Sequence, residues 1–302
     1  MRRGIMAAVA LVGLAAVGCD DGVREDLVVT GTPPATPYAG RLDLPFKESV
    51  DGSAHEAEAA SGAAGRALEC DGEIFEGSGG GAWSKGDGGT TPEEGLSAYF
   101  DMEQPQVPDH GYRMERREGD RVLFSYDVDG RSKVAVVVAK DQSQRPGWGP
   151  ETSASCDPAE LPASFTDSKD FEIWTDRTGH RVPTTVLSSS VGAEHCGWQS
   201  AHFLSAGDGE DGTEGKDGKD DKDGKNGKNG RMYARDPRGV LGSGLLTAAY
   251  DGDVRMPAGA HDTGYRRGDW ELWLTPDRMT AYVRTPDGVE AWPATKDTVG
   301  CN

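Results

Sequence analysis

The residues able to do chemistry in this chain are few and far apart. His195 and His202 stand seven positions apart, on opposite faces of a strand or two turns apart on a helix, so neither geometry brings both to one metal. His261 beside Asp262 has the composition of part of a Ser-His-Asp triad, but adjacent side chains diverge and no G-x-S-x-G elbow supplies a nucleophile. His195, within His195-Cys196-Gly197-Trp198, reads as a packed or hydrogen-bonded neighbour of a disulfide cysteine. Gly77, Gly79 and Ala82 mimic the spacing of a dinucleotide loop without the strand-turn-helix context such a loop needs. Asp221 and Asp223 before Gly224 mimic a calcium loop, but no acid stands two positions before Asp221 and Gly230 takes the place of the twelfth-position glutamate. Acids are abundant, and a carboxylate pair able to hydrolyse a glycosidic bond stays open, because spacing in sequence says nothing about separation in space. No catalytic, cofactor-binding or metal-ligating residue is assigned.

Tryptophans are the other candidates, and there are seven. Trp270, Trp273 and Trp292 lie in strand-like runs and read as core, whereas Trp83 and Trp148 lie among glycines, where an exposed ring could stack on a sugar or a peptide.

The cysteines carry the clearest chemistry. Cys19 follows Arg2, Arg3, an apolar run from Ile5 to Ala16, and then Val17 and Gly18, which is the layout of a secretory signal. The run is shorter than the roughly 20 residues a transmembrane helix needs. A cysteine directly after the small residues makes this segment resemble a bacterial lipoprotein signal, although Ala16 stands where such signals most often carry Leu. The resemblance implies cleavage after residue 18, lipid on the Cys19 sulfur, and a protein exported and anchored to the outer face of the cell membrane. The other reading is an ordinary cleaved signal with an incidental thiol.

Setting Cys19 aside leaves Cys70, Cys156, Cys196 and Cys301, an even number that in an exported chain argues for disulfides. Of the three pairings, Cys70 with Cys156 and Cys196 with Cys301 is favoured, because each bridge closes one compositional half. Each is worth about 4 to 5 kcal/mol in the chain-entropy picture. Zinc would compete for four cysteines, yet no C-x-x-C spacing occurs.

The net charge of -19 repels phosphate backbones and anionic headgroups, so nucleic acid is not an expected partner, and membrane contact should come through lipid. Isoleucine is scarce while Ala, Gly, Asp and Arg are abundant. With the signal, the run GAAGRALECDG from Gly62 to Gly72, HCGW from His195, DTGY from Asp262 and ELWL from Glu271, the chain resembles secreted lipoproteins of high-GC Gram-positive bacterial type. That group carries no assigned activity, so the resemblance implies a compartment and a topology but no chemistry.

The elements that must position these residues fall into two folded units. Residues 19–61, rich in Pro, Ala, Thr, Gly and acids, read as a lipidated flexible tether, from which Leu42, Leu44, Pro45 and Phe46 either dock on a domain or do not. The unit 62–158 opens with a helical turn or two over Ala63–Cys70 and a glycine-rich surface loop over Gly77–Gly89. Thr91-Pro92-Glu93-Glu94 then starts a helix carrying Leu96, Tyr99 and Phe100 on one face. Tyr112–Arg117, Arg121–Val128, Ser132–Ala139 and Gly147–Cys156 read as strands, with a type I′ turn at Asp129-Gly130.

The unit 161–302 reads as strands over Phe171–Thr175, His180–Leu187, Gly192–Ser205, Arg231–Asp236, Leu245–Tyr250, Trp270–Leu274, Met279–Arg284 and Val289–Trp292. A Gly-rich insert at 207–230 repeats glycine nearly every third residue, as collagen does. It lacks proline and reads as a disordered loop inserted in a hairpin. The expected fold class is α+β, mainly antiparallel β: one helix on a meander, followed by a small β-rich domain. The expected function is a lipid-anchored extracytoplasmic binding or interaction module, with a cell-wall polymer or a surface protein as partner. A cell-wall-acting hydrolase with unidentified carboxylates and a scaffold assembling through the Gly-X-Y segment are the alternatives.

Overall fold

The structure is a computed structural model that describes residues 24–31, 34–47, 58, 60–79, 83–102, 104–169, 171–207, 230–242 and 244–296. The signal, Cys19, Cys301 and the insert from 208 to 229 lie outside the described residues. The protein is α+β and mainly antiparallel β, with strands gathered in three sheets.

The first sheet forms from β1 (Ile74–Gly79), β2 (Arg113–Glu118), β3 (Arg121–Val128), β4 (Arg131–Gln142) and β5 (Arg145–Cys156), in the order β1-β5-β4-β3-β2. Asp129 and Gly130 both take positive φ, 52° and 76°, as the tight β3–β4 turn requires. Thr91 accepts a hydrogen bond from the Glu94 amide at 3.2 Å and Pro92 takes the first position of helix α2 (Pro92–Phe100). The Glu94 carboxylate reaches back to Thr90, whose hydroxyl donates to it at 2.8 Å.

Leu96 and Tyr99 of this helix pack on Val122, Phe124, Val134, Val136 and Val138, so one face of the sheet is closed. The opposite face is closed too. Helix α1 (Gly62–Ala67) lays Ala63, Ala64 and Ala67 on Leu123, Ala135, Val137 and Ala154, with Leu42 among them. Burial on both faces explains the unbroken run Val134–Ala139, which does not alternate.

Two expectations about this half change. Residues 24–31 and 34–47, read as tether, lie against the first unit. Leu27 and Leu42 are 2% and 0% exposed, the Val29 amide donates to the Tyr112 carbonyl at 2.7 Å, and Arg24 pairs with Asp109 at 2.9 Å. A few apolar side chains suffice when each finds a prepared socket. The glycine-rich loop is likewise partly strand. Gly79 ends β1, where a Cβ would meet the Phe46 ring at 2.8 Å, so glycine here makes room for a neighbour.

The second unit is a ring of strands. β6 (Leu187–Val191), β7 (His202–Ala206) and β8 (Arg231–Arg235) make one antiparallel sheet. β9 (His261–Arg267), β10 (Trp270–Leu274), β11 (Thr280–Thr285) and β12 (Gly288–Pro293) make another, in the order β12-β11-β10-β9. Isolated bridges join them: Tyr233 with Ala294 on one side, and on the other Glu172 with Ser189 and Thr175 with Arg266. The segment 172–175 thus closes the gap between β6 and β9, and the ring wraps Trp174, Leu187, Leu204, Tyr233, Leu272, Val283 and Trp292.

Phe171–Thr175, His180–Leu187 and Leu245–Tyr250, read as strands, contribute mainly isolated bridges. Helix α3 (Ala163–Ser168) leads from the first unit into the ring. Asp157 pins the junction. Its buried carboxylate accepts from the Ala159 amide at 2.8 Å, the Thr184 amide and hydroxyl at 3.0 and 2.9 Å, and the Thr185 amide at 3.3 Å.

Cys70 and Cys156 form the predicted disulfide, with Cα atoms 5.4 Å apart. Cys196 is also disulfide-bonded, and its predicted partner Cys301 lies outside the described residues.

Candidate binding cleft

A strand pairing in antiparallel register sends directly opposed side chains to the same face. In the β6-β7-β8 sheet Ser188 opposes Ser205, which opposes Met232, and Ser190 opposes Phe203. These five side chains therefore share the outer face, while Leu187, Leu204 and Tyr233 point into the ring. The outer face is the floor of a cavity of about 320 Å³, walled by Phe75 of β1, Phe171, Glu172 and Thr184. It lies where the two units meet, a common place for a ligand cleft, and its size is at the small end of the usual ~300–1,000 Å³. Phe75 is 37% exposed, one of the few large apolar side chains so open. The hydroxyls of Ser188, Ser190 and Ser205 make no hydrogen bond to other described residues.

Glu172 links the cleft to the ring interior. His202 Nε2 lies 2.6 Å from its Oε2, the Ser189 hydroxyl donates to the same oxygen, and Arg267 pairs with Oε1 at 3.0 Å. Trp174 Nε1 in turn donates to Ser189 Oγ at 2.9 Å. Burial works to raise the Glu172 carboxyl, but hydrogen bonds from His202 and Ser189, together with the charges of His202 and Arg267, outweigh it. The group sits below its ordinary range as a carboxylate with its partners in place. His202 stands edge-on to Trp270 and tilted to Trp292, with ring centres 5.4 and 5.9 Å away. The Ser189 proton is directed at Glu172 rather than at His202, so these three residues do not assemble a base-activated nucleophile. They hold a wall in place.

The residues singled out from sequence are not brought together. His195 is exposed on a short turn, His202 is inside the ring, and no site joins them. His195 makes no hydrogen bond to other described residues, so the reading of it as a packed neighbour of Cys196 fails; the turn points it outward. Asp262 is gripped by Arg266 at 2.9 Å and by the Gly264 amide at 2.8 Å, not by His261. Trp83 and Trp148, read as exposed stacking rings, are each 4% exposed. The glycines around them supply space: a Cβ on Gly149 would press into the Trp83 indole, and one on Gly95 would meet Trp148 at 2.9 Å.

Two other clusters bear on chemistry. A cavity of about 350 Å³ gathers Asp101 and Asp109 with Arg24 and Lys169. Asp109, hydrogen-bonded by His110 and Arg24, is held down to about 2, so it cannot keep a proton to donate near neutrality. The sulfurs of Cys70 and Cys156 and a Glu160 oxygen lie within 4.8 Å of one another, but a disulfide has no thiolate to offer a metal. The Glu160 carboxylate is moreover engaged by the buried Lys133 ammonium at 2.6 Å.

No protein-family model, curated protein or solved structure matches this chain. Sequence reasoning missed Glu172, Arg267 and the serine face. Glu172 and His202 are 30 positions apart, and only the ring closure makes them neighbours.

Proposed function

We propose that this chain is an exported, lipid-anchored binding module that takes its ligand in the cleft between its two β units. The anchor rests on the lipoprotein-type signal ending at Cys19 and on the even count of the other cysteines. The binding role rests on one observation above the others: hydroxyls that make no hydrogen bond to other described residues and partly open phenyl rings converge in a cleft where Glu172, the one carboxylate among the described lining residues, is already held. Strands supply every serine and Phe75, so the surface is preformed.

Three measurements on the full chain test this reading, the first of them in its cells. Radiolabelled fatty acid should enter the wild type and not Cys19→Ala, and the variant should leave the membrane fraction; equal membrane retention refutes the anchor. The Cys19→Ala protein, digested without reduction, should yield a Cys196–Cys301 peptide. Immobilised full chain should retain a component of the cell envelope, either wall polymer or surface protein, that Ser205→Phe, which fills the cleft, does not. Equal recovery by both, or none by either, refutes the cleft as the binding site.

A further inference from the structure

We infer that the cleft ligand is an uncharged sugar ring, a neutral glycan rather than a peptide, an apolar molecule or a polyanion; this rests on the cleft being the binding site. The floor sets the first constraint. Ser188 and Ser205 are a directly opposed pair, whose Cβ atoms stand about 4.5–5.5 Å apart in such sheets, and Ser190 lies two residues along the same strand, about 7 Å away. Hydroxyls at these spacings can address groups on different positions of one pyranose ring. Phe203 lies beside them on the floor and Phe75 and Phe171 form the wall, so apolar C–H faces of a ring meet phenyl groups while its hydroxyls meet serines.

The competing ligands fail on specific grounds. An apolar molecule would strip water from three hydroxyls and give no hydrogen bond in return. A peptide adding as a strand needs an open sheet edge. The outer edge of β6 is bridged to Glu172 at Ser189, and the outer edge of β8 to Ala294 at Tyr233. Among the described residues of the lining an anionic polymer finds no lysine, arginine or histidine, on a chain whose net charge is -19. A cationic ligand would look to Glu172, but that carboxylate already holds Arg267 and His202.

The test uses the full chain, isotope-labelled, titrated with four probes: a β-1,4-linked tetramer of N-acetylglucosamine, maltotetraose, poly(glycerol phosphate) and an unstructured apolar peptide. Saturable shifts of the Ser188, Ser190, Phe203 and Ser205 amides are expected with at least one neutral oligosaccharide and with neither of the other probes. Ser205→Ala and Ser188→Ala, which leave the strand pairing intact, should each weaken binding about 3- to 10-fold. Phe75→Ala should weaken it about as much. Shifts with the peptide or the polyphosphate alone overturn the sugar while leaving the binding module standing. Silence of these amides with all four probes overturns the sugar as well; if a whole envelope extract also leaves them unmoved, the module reading falls with it. Sugar binding unaffected by the serine and Phe75 substitutions places the ligand elsewhere and overturns the inference.

Discussion

Replacing Asp157 by alanine removes the acceptor for four hydrogen bonds at the seam between the two units. Three of the donors are backbone amides, which cannot rotate away, and Asp157 is 3% exposed. Each buried donor left without an acceptor costs about 1–3 kcal/mol, and water entering the vacated space recovers part of it. The net loss should be about 3–5 kcal/mol, the size of breaking a buried charged network. Asparagine makes a sharper comparison. Its oxygen can keep the Ala159 and Thr184 amides, its NH₂ can donate to the Thr184 hydroxyl oxygen, and only the Thr185 amide at 3.3 Å loses its acceptor. Asp157→Asn should therefore cost only about 1–2 kcal/mol. Urea unfolding gives both numbers, and hydrogen exchange locates them: the Ala159, Thr184 and Thr185 amides should exchange faster in Asp157→Ala, with β10 and β11 unchanged. Because Thr184 also walls the cleft, ligand affinity should fall along with stability. An alanine variant within 1 kcal/mol of wild type, or an asparagine variant as damaged as alanine, would refute the assignment of the seam to this carboxylate.

Gly149→Ala should destabilise by about 1–3 kcal/mol through overpacking against Trp83, and should shift the Trp83 indole N–H resonance; an unmoved resonance with unchanged stability counts against the close approach. The Asp109 carboxyl should titrate near pH 2 by NMR, lowered by His110 and Arg24. Its folded value lies below the ordinary 3.8, so its stabilisation is fully present above about pH 4 and fades as pH falls toward 2. Arg24→Ala should move the midpoint upward, and a wild-type midpoint near 4 would show that residues 24–31 do not dock as described.

What was legible in the sequence was local or covalent. The cap at Thr91, the Asp129-Gly130 turn and the strand Trp270–Leu274 each depend on a handful of neighbouring residues whose backbone preferences agree. The Cys70–Cys156 pairing, one of three that counting leaves, followed from the division of the chain into two compositional halves. Where sequence reading failed, the deciding partner was distant. Ile74–Gly79 is strand because β5 offers an edge, and three glycyl and seryl residues would not have formed one alone. Leu27 fell in a stretch read as tether and Leu42 in a cluster whose docking the sequence left open, and each is ordered by a socket that other elements build. Leu245–Tyr250 has the composition of a strand but, among the described residues, bridges only to Thr295, through Leu246.

The cleft was illegible for a related reason. A serine in a strand reads as solvent-facing, and Ser188, Ser190 and Ser205 carry no periodic signal that separates a wet surface from a binding floor. Their meaning comes from two registers set independently. The β6–β7 pairing puts Ser188 opposite Ser205, and the Asp157 seam brings Phe75 over them from a different sheet. Slipping β6 by one residue would turn Ser188 and Ser190 into the ring and Leu187 and Ser189 out of it, exchanging a hydroxylated floor for one that exposes leucine. The ring resists that slip because Ser189 is tied at once to Trp174 and Glu172, and Glu172 to His202 and Arg267. The polar network beneath the cleft thus has a physical role: it fixes the register that decides which face the serines occupy.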